Sequence, residues 1–385
     1  MRVYLDHNST SPMRAEVRSR WLEVADQFLG NPSSLHASGR RARAAVDDAR
    51  ARVAAALGVH EEEIFFTSGA TEANNLALFG VLAAAGAQAG LATTAVEHSS
   101  VLEPARALEA AGRRVTIVPV DAQGLPAPDA VVHAAAEPAH GLVSVAAANN
   151  ETGATPDLAA IAQGLRKIRG PRPRFHTDAV QALGRLPVRL QEWGVDLASF
   201  SAHKLGGPPG VGILWRARGV GLAPRLHGGG QELALRPGTE NVPAIAAAAL
   251  AIELAAREQP AFAERTALLA CNLWTGLSNS LSGLRLIGPA IDSKQRLPNT
   301  LCVLVPETDG KVLVTRLDLA GLEVSAGSAC ASGALEPSHV LSAMGLARDE
   351  ARSGLRLSLG WNTTAEDCKR ALAIFRTEFS SSRAT

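Results

Sequence analysis

Cysteine is scarce: the chain has four, Cys271, Cys302, Cys330 and Cys368, and no C-x-x-C pair. That spacing argues against a disulfide-stapled secreted domain and against a zinc knuckle. Aromatic residues make up 4%, with a single tyrosine, so aliphatic and alanine packing must build the core. Neither sign of charge is in excess: Lys and Arg number 38 and Asp and Glu 37, a formal net charge of +1. This balance argues against nucleic-acid binding by bulk positive charge and leaves only a local patch open. Long apolar runs are lacking too. The longest weakly polar run, Pro243 to Ala256, contains Glu253 and is shorter than the roughly 20 residues a membrane helix needs. The first residues, MRVYLDHNSTSP, hold no stretch resembling a signal peptide. A soluble cytoplasmic protein is expected, in which a functional cysteine would act as a thiol or thiolate.

What is present is an alternation of elements. The 385 residues correspond to about two or three domains at roughly 150 residues each. Helical spacing covers Arg14 to Asp26, Ser38 to Leu57, Ala70 to Ala85, Val101 to Ala111 and Asp157 to about Ile168. Strand-like runs fall at Ile64–Thr67, Leu91–Val96, Val115–Val118, Leu142–Ala148, Phe175–Thr177, Leu197–Phe200 and Val211–Trp215. Strands alternating with helices of ten or more residues predict a mostly parallel, doubly wound α/β sheet over residues 14–256. Beyond this the pattern becomes that of a smaller α+β domain, residues 257–385, which residues 1–13 are expected to join. Its elements are a helix at Phe262–Leu281, a strand at Asn299–Val305, helices at Lys311–Leu319 and Pro337–Met344, a strand at Leu355–Leu359 and a helix at Thr364–Phe379. Five basic residues lie between Arg166 and Arg174. They read either as a docking patch for an acidic partner or RNA, or as a helix C-terminus running into a solvated loop.

Several short segments carry candidate chemistry. Lys204 follows Ser201 and His203 at a strand end and precedes a Gly/Pro-rich turn. An amine that carries an aldehyde cofactor as a Schiff base needs such a crowded turn with phosphate donors nearby. Asp178 ends a short strand and could pair a pyridinium nitrogen, with Gln181 reaching the ring oxygen; a plain helix cap is the alternative. Ala70 and Thr71 open a helix after the Gly69 turn, a natural phosphate cradle. His98 could stack on a flat ring or carry protons, or simply start a helix. Asn149 and Asn150 end another strand and could bond ring substituents or form a polar turn. Cys330 lies in SAGSACASG, where every residue is small. Such a loop has little to pack and suits a nucleophile that reaches into a site and swings away. Cys302 lies in a core-like strand, and Cys271 and Cys368 on helices, where they read as small hydrophobes. Arg356 alternates with apolar residues in LRLSLG; its fork suits a substrate carboxylate or an internal ion pair.

Together these segments resemble the cysteine desulfurases, fold-type I pyridoxal-phosphate (PLP) enzymes of the aminotransferase class V group. The matching stretches are YLDHNSTSP, GNPSSLHASGRRAR, TSGATEANNLAL, EHSSVLEP, NNETGATPDL, HTDAVQALGRLPV, SFSAHKLGGPPGVG, HGGGQE with RPGTENVPAIAA, SAGSACASGALEPSHVL and GLRLSLG, in that order. The short cysteine loop is similar to that of group I members, which serve iron–sulfur cluster assembly and tRNA thiolation.

The resemblance implies a large domain with a mostly parallel seven-stranded sheet flanked by helices, plus a smaller α+β domain. It implies PLP held by Lys204 as the Schiff-base lysine, by Asp178 and Gln181 on the ring, and by Asn150. His98 is implied to stack on the ring and move protons. Ala70, Thr71, Ser201 and His203 are implied at the phosphate, joined by Thr239 of a neighbouring copy in a homodimer. Asn150 and Arg356 would bind the carboxylate of L-cysteine. Cys330 would take the sulfur as a persulfide, leaving L-alanine, and pass it to an acceptor protein. No metal, nucleic-acid or membrane partner is implied. A PLP-dependent selenocysteine lyase or related Cβ–S lyase is the alternative within enzymes, and a non-catalytic sulfur or metal carrier the alternative outside them.

Overall fold

The computed structural model describes residues 2–27, 30–137, 140–326 and 337–381. Its strands, in chain order, are β1 (Val3–Tyr4), β2 (Ile64–Thr67), β3 (Gly90–Thr94), β4 (Val115–Val118), β5 (His140–Ser144), β6 (Arg174–Asp178), β7 (Leu197–Ser201), β8 (Gly212–Arg216), β9 (Arg285–Ile287), β10 (Thr300–Leu304), β11 (Leu322–Glu323), β12 (Ser325–Ala326) and β13 (Gly354–Ser358).

Seven of these form one sheet in the order β2-β8-β7-β6-β5-β3-β4. The pairs β7/β6, β6/β5, β5/β3 and β3/β4 are parallel, and β8 runs antiparallel to both its neighbours. Helices cover both faces, so β2, β3 and β7 are buried along their whole length. That explains why the sequence shows continuous apolar runs there rather than alternation. The α/β expectation therefore holds. With β8 reversed, the other six strands point their C-terminal ends to one edge, where ligands bind in open α/β sheets.

The principal core combines this sheet with the helices Ala37–Leu57 and Val242–Ser280. The first stops at Gly58, which adopts the left-handed conformation (φ 66°) needed to fold its amide back onto Ala54 and Ala55. The second is a single helix of 39 residues, continuous through Pro260. The sequence reading began a helix only at Phe262. The difference arises because burial extends along the whole element, from Val242 to Leu277, and packing overrides local propensity. Its alanines let it lie close to Ala37–Leu57 and to Ala15–Gln27.

A second core gathers Val3 and Leu5 with Leu269, Leu273, Leu301, Val303, Leu317, Leu355, Leu357 and Phe375. Here β12, β13, β10 and β9 form an antiparallel sheet, and β1 pairs with β11 in parallel. Strands β9 and β11 and the helices Pro128–Ala136 and Arg348–Arg352 carried no sequence-level assignment, and β12 falls in the stretch read as a loop. They are short elements whose pattern is too brief to show a period. Among the described residues no helix is long and apolar enough to cross a membrane.

Candidate active site

The C-terminal ends of the parallel strands open into a cavity of about 350 Å³. Ala70, Thr71, His98, Asn150, Asp178, Gln181, Ser201, His203, Lys204 and Arg356 all line it, together with Asn8, Ser9 and Ser100. Thr239 is exposed and lies elsewhere. Cys330 falls outside the described residues.

One end of the cavity is formed where β2 turns into the helix Ala70–Ala85. The turn residue Gly69 supplies no side-chain cap, so the first amides of the helix keep free N–H groups and the positive end of its dipole. Strand β8 is pressed against this turn: a Cβ on Gly212 would stand 2.3 Å from the Gly69 carbonyl carbon. Only glycine permits that approach. The hydroxyls of Thr71 and Ser201 have no hydrogen-bond partner among the described residues. Free amides and free hydroxyls facing one space form the donor set that a phosphate dianion requires.

Lys204 stands in the short turn after β7, which closes at Gly206 in the left-handed conformation (φ 80°). Its Nζ donates to the carbonyls of Asn8 (2.8 Å) and Ser9. The N-terminal segment is laid across this turn, with Ser11 N donating to His203 O and Arg14 N to Gly206 O, each at 3.0 Å. His203 donates or accepts through Nδ1 at Thr10 Oγ1 (3.0 Å). Burial and the neighbouring Lys204 and Arg185 charges push its imidazole down to about 4, so it stays neutral near pH 7.

Asp178, the last residue of β6, is buried. Its Oδ1 accepts the Val180 amide (3.0 Å) and its Oδ2 accepts Asn74 Nδ2 (2.8 Å). The first contact closes a turn, not the helix that the capping alternative anticipated, and the carboxylate lines the cavity. His98 is the N-cap of the helix Ser99–Ala110, accepting Ser100 N at Nδ1 (3.1 Å). Asn149 is consumed by structure: its Oδ1 accepts from Glu151 N and Thr152 N and its Nδ2 donates to Val96 O, all at 2.9 Å. The Asn150 side chain makes no such bonds among the described residues.

Arg356 on β13 is buried and already engaged. It donates to Asp6 Oδ1 (2.7 Å), Ser9 Oγ (2.6 Å) and Asn150 O (3.1 Å). The ion-pair alternative is therefore present, and the guanidinium also faces the cavity.

Sequence reasoning passed over several groups. Asn8 joins the two cores: its side chain donates to Asn150 O (3.1 Å) and Thr300 Oγ1 (2.9 Å), while its carbonyl takes Gln181 Nε2 (3.0 Å) and Lys204 Nζ (2.8 Å). Asn74 is buried in the middle of an apolar helix, a polar exception that was a readable signal. Glu97 and Glu151 are buried carboxyls behind the cavity wall. Burial pushes Glu97 up to about 8 and Glu151 up to about 7. Ser338 Oγ donates to Glu151 Oε2 (2.5 Å) and His339 Nε2 lies 2.9 Å from Glu97 O. Of the other cysteines, Cys302 is buried and its thiol pushed up to about 12 by burial. Cys368 is also buried, but Cys271 is exposed on the long helix, contrary to its reading as a packed hydrophobe.

Residues 3–371 match the family described as aminotransferase class-V. A protein named cysteine desulfurase IscS from Dictyoglomus turgidum is 42% identical over 374 residues, covering 97% of this chain and 93% of that one. A solved NifS-like protein superposes with a TM-score of 0.91 at 37% identity, covering 99% of this chain and 100% of the other. A structure described as SspA in complex with cysteine matches with a TM-score of 0.79 at 31% identity, covering 93% and 98%. A family match along almost the whole chain, joined to the same fold at the same length, leaves one conclusion: the chain belongs to the aminotransferase class-V family, on the branch whose relatives are cysteine desulfurases.

Proposed function

We propose that the chain is a PLP-dependent cysteine desulfurase that takes sulfur from L-cysteine onto Cys330 and leaves L-alanine. The observation that carries this reading is one cavity lined by an amine, a carboxylate, an imidazole and a helix N-terminus flanked by the Thr71 and Ser201 hydroxyls. The residues fit PLP: Ala70, Thr71, Ser201 and His203 would hold the phosphate, Asp178 the ring nitrogen and Gln181 the ring oxygen. When bound, PLP supplies an electron sink that acidifies the Cα proton of the substrate.

The chain's own groups supply the rest. Lys204 Nζ, held by two backbone carbonyls, is placed to move that proton once neutral. The Arg356 fork and the free Asn150 amide hold the substrate carboxylate and fix which Cα bond is exposed. His98, whose Nδ1 is occupied by Ser100, presents Nε2 for proton movement. Cys330 thiolate attacks the substrate sulfur: an S–S bond forms, the C–S bond breaks with its electron pair, and the carbon fragment takes up protons to become alanine. A thiolate is needed because the thiol is a poor nucleophile.

The name of the cysteine complex supports the substrate, and the IscS names support sulfur delivery for iron–sulfur assembly; the protein acceptor, thiolation and a cytoplasmic setting are read from the sequence resemblance alone. We also read residues 14–256 as a large domain and 1–13 with 257–385 as a small one, supported by a core cluster confined to each. A homodimer is supported by the segment around Thr239. Glu232, Leu233 and Ala234 hold positive φ there, a strained conformation for non-glycine residues, and Leu233 and Leu35 are exposed in strands of chain joined by Gln231 and Ser33.

The test is to incubate the protein with L-cysteine and locate added sulfur by mass spectrometry. Added sulfur on Cys330, and loss of turnover in Cys330→Ala, are expected. Near-full cysteine turnover by Cys330→Ala would favour the selenocysteine or Cβ–S lyase alternative. A purified protein that binds no PLP would revive the carrier reading.

A further inference from the structure

We propose that Asn74 is a positioning residue that ties the Asp178 carboxylate and the His98 imidazole into one hydrogen-bonded chain. Asn74 sits on the helix Ala70–Ala85 and does not line the cavity. Its Nδ2 donates to Asp178 Oδ2 and to Ser100 Oγ, both at 2.8 Å. Ser100 Oγ lies 2.8 Å from His98 Nδ1. The inference rests on the PLP reading, because only a ring bound between them gives these two groups a common task.

The direction of every hydrogen in the chain follows from the chemistry. A carboxylate only accepts, so the Asn74 amide must turn its NH₂ toward Asp178. The second hydrogen of that NH₂ goes to Ser100 Oγ. His98 Nδ1 already accepts the Ser100 amide at 3.1 Å, so it carries no proton. The Ser100 hydroxyl then donates to the same Nδ1, and the neutral ring carries its proton on Nε2. One amide thus fixes the rotamer of the carboxylate and points the Ser100 hydroxyl at His98 Nδ1, where it reinforces the tautomer that the Ser100 backbone amide sets.

The arrangement is not explained by stability. Asn74 is fully buried, yet its Oδ1 has no partner among the described residues. An unsatisfied buried carbonyl destabilises a fold, and an apolar residue in this apolar helix would avoid that. The polar residue is retained at a site where both its donors serve cavity-lining groups.

Three variants test the proposal. Asn74→Leu keeps the volume and removes both donors. Asn74→Asp keeps the shape and turns an acceptor toward Asp178. Asn74→Ser can serve only one of the two acceptors and decides the matter if Asn74→Leu does not fold. The readouts are PLP affinity, by titration of the visible absorbance, and the ¹⁵N shifts of His98, assigned with His98→Gln. PLP affinity is expected to fall about 10-fold in Asn74→Leu and roughly 100-fold in Asn74→Asp, the size expected when a buried carboxylate loses a donor or faces a second acceptor. The Nδ1 shift of His98 is expected to move as the Ser100 hydroxyl is released to rotate, while the Nε2–H tautomer is kept by the Ser100 amide. Folded variants with unchanged affinity and an unchanged Nδ1 shift would overturn the proposal. If the unsubstituted protein binds no PLP, the cofactor reading fails, while the Nδ1 shift still decides the role of Asn74.

Discussion

At the Thr71 end of the cavity the first helix amides and the Thr71 and Ser201 hydroxyls have no partner among the described residues, whereas at the Arg356 end the guanidinium already has a carboxylate, a hydroxyl and a carbonyl. The first arrangement leaves the helix N-terminus dependent on an anion from outside, which suits a group that stays bound. The second keeps a buried cation compensated while no ligand is present, and lets an incoming carboxylate take a place in an existing network. The same charge logic, donors meeting an anion, thus serves permanent binding at one end and exchange at the other.

The largest expected effect lies between the two ends. Lys204→Ala should reduce desulfuration by about a thousand-fold or more, as measured by alanine formation, since a positioned base and nucleophilic amine is lost. Next, Arg356→Ala should lower kcat/KM for cysteine by roughly 100-fold or more and also lower the melting temperature, because Asp6 loses its buried partner. Arg356→Lys should restore only part of either, since a point charge cannot serve three acceptors in fork geometry. If only stability changed and KM did not, the assignment of Arg356 to substrate would fail.

Glu151 borders the Arg356 end and gives a pH signature. Its carboxyl is raised from 4.5 to about 7 in the folded protein, so the native state holds the proton more tightly than the unfolded one. That contribution to stability is complete below pH 4.5 and is lost as pH rises through about 7. Denaturant melts of Glu151→Gln against the parent at pH 5 and pH 8 should differ by up to roughly 3 kcal/mol, with the variant less sensitive to rising pH. Equal pH dependence in both would mean that Glu151 does not hold the proton. The smallest effects belong to the open end. Thr71→Ala and Ser201→Ala should each weaken PLP about 5- to 10-fold in an absorbance titration, with little change in the melting temperature of the PLP-free protein. A large change in that melting temperature would show that these hydroxyls were engaged internally after all, and the contrast between the two ends would disappear.

Much of this was legible in the chain. Ile64–Thr67, Ala70–Ala85 and Val115–Val118 have the bounds their composition predicts, because a short run of aromatic or β-branched residues and a long helix each impose a pattern of their own. Lys204, Asp178 and Thr71 could be singled out because strand ends followed by polar or glycine-rich turns are where such sheets bind ligands. Asn8 could not. Its importance comes from meeting Asn150, Thr300, Gln181 and Lys204, all far away in sequence. The exposure of Cys271 was hidden too, since a helix position does not reveal which side faces solvent when small and polar residues are mixed around it.

The chain by itself determined the α/β class, the absence of a disulfide scaffold, and the set of side chains able to do chemistry on an amino acid. These follow from local periodicity, turn chemistry and composition. Only the tertiary structure decided how those side chains are shared: that Arg356 faces the cavity while paired to Asp6, that Asn74 links Asp178 to His98, and that the first residues close over Lys204. Such pairings depend on which donors and acceptors burial brings within about 3 Å of one another, and distance along the sequence carries no record of that.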